Sequence, residues 1–248
     1  MDSGAVRSRA RSRHVSLGGA LVLGTALGLY YAFHDRLWNA TTWWDIAFLS
    51  LVLIPACFAL IWLALPLRLG RGLLPVGIAL AVLAWAFHVA GANTAENFCK
   101  LFAITALGFW FLQYFETLGW VVLVSLIIPW VDAYSVWRGP TKVIVTEHRG
   151  VFTNFSFAFP IPGEVSSANL GLPDLLFFAL FLAAAVRFAL RPGPTWLLMT
   201  LSFGATLALA VWRDLGGLPA LPLLALGFLL ANGDLIWARL RPRVDARS

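Results

Sequence analysis

The sequence predicts an all-α, polytopic membrane protein: a bundle of about eight transmembrane helices with one extended external loop. Hydrophobic residues make up 60% of the chain and charged residues 12%, and the mean hydropathy is +0.82. A soluble domain needs far more charge to cover its surface. Apolar stretches near the length of about 20 residues that a spanning helix needs fill almost the whole chain. These observations leave no room for a separate soluble domain.

Eight spans follow from the positions of these apolar stretches. The predicted spans are approximately 15–33, 45–67, 73–91, 98–115, 118–137, 169–190, 195–212 and 218–238. The first fourteen residues carry four Arg, and we expect an uncleaved first span after them rather than a removable signal peptide. We divide the chain into residues 1–116, with about four spans, and residues 117–248, which carry the candidate site.

One connection, roughly residues 138–168, is much longer than the others and has an extended character. β-branched or aromatic runs, at 142–146 and 152–159, flank the segment Glu-His-Arg-Gly at 147–150. This pattern predicts a hairpin with a Gly-containing turn. Pro160 and Pro162 then end the second strand, because proline has no N–H to donate to a ladder. An ordinary external loop and an edge strand that captures an extended peptide both fit this segment.

The distribution of Lys and Arg predicts the orientation of the chain. With eight spans both termini lie on one side, and that side carries twelve of the 18 basic residues. We expect the chain to lie in the cell (inner) membrane. The positive-inside rule then predicts that both termini lie in the cytoplasm and that the long loop lies outside. The net charge of +6 fits basic residues that set topology and contact lipid headgroups. The sequence has no basic stripe interleaved with exposed aromatics, which is the pattern that would indicate nucleic-acid binding.

Two aspartates at matching depths are the strongest candidates for chemistry. Asp132 precedes the end of the fifth span, and Asp174 follows the start of the sixth. A carboxylate in hydrocarbon costs several kcal/mol, so an acidic residue there is a candidate functional residue. Successive spans run antiparallel, and at 1.5 Å of rise per residue both carboxyls are predicted roughly 6–8 Å inside one membrane face. Such a pair suggests a dyad in which one carboxyl stays protonated while the other activates water.

Proline and glycine beside these aspartates predict the irregular backbone that a water-lined cavity tolerates. Pro129 removes a helical hydrogen bond three residues before Asp132, and a kink is expected there. Gly171 and Pro173 precede Asp174 and are expected to weaken or start the sixth helix. Pro219-Ala220-Leu221-Pro222 opens the eighth span on the same predicted side, within reach of the dyad.

These three elements resemble the presenilin and signal peptide peptidase family of intramembrane aspartyl proteases. That family has Tyr-Asp on one helix, Gly-x-Gly-Asp on the next and Pro-Ala-Leu at the start of the last. Here Val131-Asp132 stands for the first motif, Gly171 to Asp174 for the second with Pro173 in place of a glycine, and Pro219-Ala220-Leu221 for the third. The likeness covers about residues 118–238. The predicted orientation looks like that of signal peptide peptidase.

The resemblance implies hydrolysis of peptide bonds within transmembrane or signal-peptide helices, without a metal or a cofactor. It implies that Asp132 and Asp174 are catalytic, and that Gly171, Pro219, Ala220 and Leu221 shape the site and help to place substrate. It covers neither the first four spans nor the oligomeric state.

Other interpretations of the same residues stay open at this point. Asp132 fits an interfacial residue bonded to Tyr134 or Ser135, Asp174 fits a helix N-terminal acid, and the proline-rich segment fits a helix start. A non-catalytic protein that binds membrane helices and a small proton-coupled transporter are the alternative functions. We expect Cys57, Cys99 and His88 to be packing residues, and Asp234 to lie at the cytoplasmic interface.

Overall fold

The computed structural model describes residues 3–138, 154–213, 215 and 218–241, which form helices and one two-stranded sheet. The helices are α1 Ser3–Phe33, α2 Thr42–Leu67, α3 Leu73–Val89, α4 Asn93–Leu112, α5 Leu118–Arg138, α6 Leu172–Arg187, α7 Pro192–Trp212 and α8 Leu221–Leu240. The strands are β1 Ser156–Pro160 and β2 Ser167–Gly171, paired antiparallel. Each predicted span overlaps one of these helices.

Five of the described helices, α2, α4, α5, α7 and α8, are long and apolar enough to cross a membrane. Helix α3 is equally apolar but shorter. The structure thus agrees with the predicted all-α membrane bundle. Because a helix of 17 residues is at the short end of what spans a bilayer, length and composition alone do not assign eight crossings.

Helix α2 contains an irregular turn that its sequence explains. Residues Leu49–Leu53 form a π-helical turn immediately before Pro55. Proline has no N–H, and its ring clashes with the carbonyl four residues earlier, so a widened turn there relieves the clash. Ser50 in this turn donates a hydrogen bond to the carbonyl of Gly204 in α7 at 3.4 Å.

Helix α6 lies at the centre of the described bundle. Its residues from Phe178 to Ala185 are fully buried. The ring of Phe181 stacks on that of Phe228 from α8, with centroids 4.9 Å apart. Helix α4 approaches α6 most closely at Gly108, where an added Cβ would lie 2.8 Å from the carbonyl oxygen of Leu176. Small residues allow this kind of close approach between membrane helices, and here the approach fixes the helix that begins just before Asp174.

The observed hairpin differs from the predicted one. Its first strand, β1, overlaps the predicted run 152–159 and ends at Pro160, where the strand was expected to stop. Its partner is β2, from Ser167, in a region predicted to belong partly to the sixth span. Helix α6 therefore begins at Leu172, three residues later than predicted, because residues 167–171 satisfy their hydrogen bonds in the ladder instead. The predicted strand 142–146 lies outside the described residues.

Side chains from two helices hold the outer edge of β1. Asn97 of α4 accepts the N–H of Ala158 at 2.9 Å and donates to its carbonyl at 2.8 Å. The hydroxyls of Tyr31 and Tyr30 in α1 donate to the carbonyls of Ala158 and Pro160. These bonds satisfy backbone groups that a sheet edge otherwise leaves unpaired. They fix the hairpin against the bundle, directly before the start of α6.

Candidate functional site

Asp132 lies on the side of α5 that packs against α8. Val121 and Ser125 on α5 are almost fully buried, and Asp132, seven residues beyond Ser125, shares their helix face. Trp130, next to Pro129, is 78% exposed on the opposite side of the helix. The helix continues through Pro129 to Arg138. The pattern of burial thus directs the half-buried Asp132 carboxyl toward the start of α8.

The carboxyl of Asp132 receives a hydrogen bond from the first residue of α8. The backbone N–H of Leu221 donates to Oδ2 of Asp132 at 3.0 Å, and the N–H of Ala220 lies near the same carboxyl. The first N–H groups of a helix have no partner within it. Ala220, which precedes the helix, supplies no side-chain cap. Asp132 therefore caps α8 from a neighbouring helix, which favours a negative charge at that position.

The sequence Pro219-Ala220-Leu221-Pro222 leaves few backbone donors at the start of α8. Neither proline has an N–H. The only N–H groups in this four-residue segment are those of Ala220 and Leu221, and the N–H of Leu221 is hydrogen-bonded to Asp132. The segment is thus an amide pair framed by residues that cannot donate.

Asp174 is the third residue of α6, in the first helical turn. The backbone N–H of Gly171, directly before the helix, lies near the Asp174 carboxyl, where an acidic side chain can reach back toward the helix start. Pro173 occupies the second helical position, where its missing N–H costs no helical bond. Pro173 is exposed, so its ring does not separate the helices that carry the two aspartates.

Asp132 and Asp174 are close enough for their carboxyls to interact electrostatically. The structure therefore brings Asp174, with Gly171 beside it, near Asp132, which is bonded to the N–H of Leu221 and lies near Ala220. The N–H of Leu221 donates a hydrogen bond to Asp132, a contact from another helix that the interfacial interpretation did not include. The local contact of Asp174 with Gly171 also fits the helix N-terminal interpretation, so the pairing with Asp132 is the distinguishing feature.

The other polar residues named from the sequence lie elsewhere. Asp234, in the part of α8 remote from Leu221, forms a bidentate pair with Arg191 at 2.6 and 2.8 Å. Cys57 is buried. His88 is not a buried packing residue: its ring nitrogen contacts the Glu96 carboxylate at 3.1 Å, and its side chain is 47% exposed. Within the described ranges, no group of three or more His, Cys, Asp or Glu side chains lies close enough together to hold a metal ion.

Sequence reasoning missed several residues that build the site. It expected Ala220 and Leu221 to shape the site and help to place substrate, and it did not anticipate the hydrogen bond from the N–H of Leu221 to Asp132. It did not single out Asn97, which fixes β1, or Gly108, which sets the distance between α4 and α6. The two prolines on either side of Ala220 and Leu221 could have indicated that these two residues supply the only backbone N–H groups of the segment. No local signal marked Asn97 or Gly108, because their roles depend on which elements meet in space.

Gly171→Ala is expected to disturb the Asp174 carboxyl without unfolding the protein. The backbone of Gly171, at φ −58° and ψ 140°, suits any residue, but an added Cβ would lie 3.1 Å from Oδ2 of Asp174. The carboxyl must then shift by a few tenths of an ångström. If the chain has the peptidase activity that its resemblance implies, the cleavage rate should fall about tenfold or more, with thermal stability changed by less than about 1 kcal/mol. Cleavage assays and thermal unfolding in detergent measure the two effects, and an unaltered cleavage rate would contradict this role for Gly171.

Comparison with known proteins adds no assignment. No protein-family profile, curated protein or solved structure matches this chain.

Proposed function

We propose that this chain is an intramembrane aspartyl protease that hydrolyses peptide bonds within transmembrane or signal-peptide helices. In this proposal it crosses the inner membrane eight times with both termini in the cytoplasm. The observation that carries the proposal is the meeting of Asp132, Asp174 and the start of α8 at one place. A transporter requires neither the cap on α8 nor a paired partner for Asp132.

The proposed chemistry uses one carboxyl as a base and the other as an acid. Two neighbouring carboxyls do not both ionise at low cost, so the pair holds one proton. The carboxylate takes a proton from water as the water oxygen bonds to the peptide carbonyl carbon. The protonated carboxyl gives its proton to the carbonyl oxygen, which yields a gem-diol. The carbon–nitrogen bond then breaks. As it breaks, the carboxyl that took the proton from water gives it to the amide nitrogen, and a hydroxyl of the gem-diol returns a proton to the second carboxyl.

The outer edge of β2, the second strand of the hairpin, is the position that we propose for the substrate. Because the N–H and C=O of Ala158 point to Asn97, they point away from β2. Ala158 pairs with Asn169, and in such a pair the backbone groups of both residues point outward. Among the described residues no strand pairs with the outer edge of β2. We propose that an extended substrate segment adds to this edge, which leads directly through Gly171 to Asp174.

Asn169→Pro is expected to weaken cleavage by removing one N–H from the outer edge of β2. The β1–β2 ladder should survive, because this N–H does not face β1. The loss of one backbone hydrogen bond to substrate, about 1 kcal/mol, should raise KM roughly fivefold. Asn169→Ala removes the same side chain but keeps the N–H, so it is the matched control. Equal KM values for the two variants would contradict strand addition at β2.

Cleavage of a single-span reporter in liposomes tests the proposed function. The purified protein is reconstituted with a fluorescently labelled transmembrane peptide, and the products are mapped by mass spectrometry. We expect a cut inside the apolar span that a transition-state analogue of aspartyl proteases blocks. A peptide that binds but stays intact would favour a non-catalytic helix-binding protein. Proton flux coupled to a solute, without cleavage, would favour the transporter.

A further inference from the structure

The main-chain contacts of the two carboxyls differ, and the difference bears on how they divide their work. Asp132 receives the N–H of Leu221 from a separate helix, α8, whereas Asp174 has beside it the N–H of Gly171, the residue before its own helix. Hydrogen bonds to an ionised carboxyl are stronger than those to a neutral one, and donors at a helix N-terminus add a favourable dipole. The N–H of Leu221 has no acceptor within α8.

The prolines on either side strengthen this contrast. Since Pro219 and Pro222 lack an N–H, water or substrate at this end of α8 competes for only two donors in the segment, and that of Leu221 is held by Asp132. If Asp132 carried the proton on Oδ2, that proton would face the N–H of Leu221, and a buried donor would lose its acceptor at a cost of about 1–3 kcal/mol. Protonation of Asp174 creates no such conflict with an N–H donor from a second helix.

We infer that Asp132 is the ionised member of the pair and acts as the base, while Asp174 carries the proton and acts as the acid. The backbone amide of Leu221 is then a positioning group that holds the Asp132 carboxylate toward the attacking water. This assignment rests on the proposed function for its catalytic meaning. In the described part of α5, α6 and α8, Asp174 is the titratable group that faces Asp132, and the cationic side chains of α8 and the α6–α7 turn pair elsewhere.

In the proposed reaction the water oxygen bonds to the carbonyl carbon as its proton passes to Asp132. The proton of Asp174 passes to the carbonyl oxygen, so the pair still holds one proton in the intermediate. Breakdown returns a proton to Asp174 from the gem-diol as Asp132 gives its own to the leaving nitrogen. The two carboxyls thus end each cycle in their starting states.

A backbone ester at position 221 tests the assignment. Replacing Leu221 by its α-hydroxy acid removes the N–H donor and keeps the side chain. The two titration steps of the pair are followed by the infrared carboxyl bands of the reconstituted protein, after subtraction of the Asp132→Asn/Asp174→Asn double variant. Leu221→Ala, which retains the N–H, and an ester at Leu226, remote from the pair, are the matched controls.

We expect the ester to move the lower step to higher pH by about one unit or more and to leave the upper step in place, because the first charge of the pair sits on Asp132. An effect on the upper step alone would place the first charge on Asp174 and overturn the assignment. A shift of both steps, or of neither, would overturn it as well. The titration needs no turnover, so it can be measured even if the reporter is not cleaved. A failure of the protease proposal can therefore be distinguished from a failure of the assignment of the charge to Asp132.

Discussion

Asp132→Asn and Asp174→Asn are each expected to lower the rate of reporter cleavage by on the order of 10⁴-fold, to the limit of detection. Each carboxyl has a separate proton to move, so neither can replace the other, and the loss of one member of a catalytic set costs nearly as much as the loss of all. The measurement is the initial rate of product formation in liposomes at equal protein content.

Asp234→Asn is the matched control for this prediction. Asp234 lies on α8 at a distance from Leu221 and pairs with Arg191 near the surface, so its loss should leave the cleavage rate within a factor of about three. Thermal unfolding of all three variants separates loss of chemistry from loss of fold. Substantial cleavage by either dyad variant, with the protein folded, would remove that residue from the catalytic set.

Gly108→Val is expected to destabilise the protein by about 1–3 kcal/mol, the usual cost of overpacking a tight interface. An added Cβ at Gly108 would lie 2.8 Å from the Leu176 carbonyl oxygen and 3.1 Å from Cβ of Ala179. Backbone of α6 must therefore move, and Asp174 lies one turn from the point of contact. We expect lower thermal stability in detergent together with lower activity.

Gly233→Val provides the control for the glycine substitution. No atom lies within 4 Å of a Cβ added at Gly233, and valine forms helix somewhat better than glycine. This variant should be as stable as the unaltered protein or slightly more stable. If the two valine variants unfold at the same temperature, the close approach of α4 and α6 at Gly108 is not a constraint on the fold.

The helices were predictable from the sequence because a bilayer imposes a simple length and polarity rule. Apolar runs interrupted by charged residues, glycine and proline gave helices near the observed positions, including α7 at Pro192–Trp212 and α8 at Leu221–Leu240. The start of α6 was wrong by three residues. Residues 167–171 contain two apolar side chains and no charge, and hydropathy does not distinguish such a strand from the first turn of a helix.

The membership of the candidate site was predictable, but the way it is held together was not. Depth and order predicted that Asp132, Asp174 and the segment 219–221 lie on one side of the membrane. In the structure the N–H of Leu221 contacts Asp132, and Asp174 lies within electrostatic range of Asp132. Whether Leu221 contacts Asp132 through its side chain or its N–H depends on the rotation of α5 and α8 about their axes. Sequence position does not report that rotation. The π turn before Pro55 likewise depends on how α2 relieves a local clash.

Thiol cross-linking between positions 132 and 174 tests most directly whether the two acids meet in the membrane. Asp132→Cys and Asp174→Cys are combined in a Cys57→Ala, Cys99→Ser background, with a protease site inserted between residues 139 and 153 so that a cross-link keeps the two fragments together. We predict efficient linkage by a short bifunctional thiol reagent in native membranes, and none for the pair Asp132→Cys with Asp234→Cys. Fragments that separate as freely for 132–174 as for 132–234 would contradict the paired site.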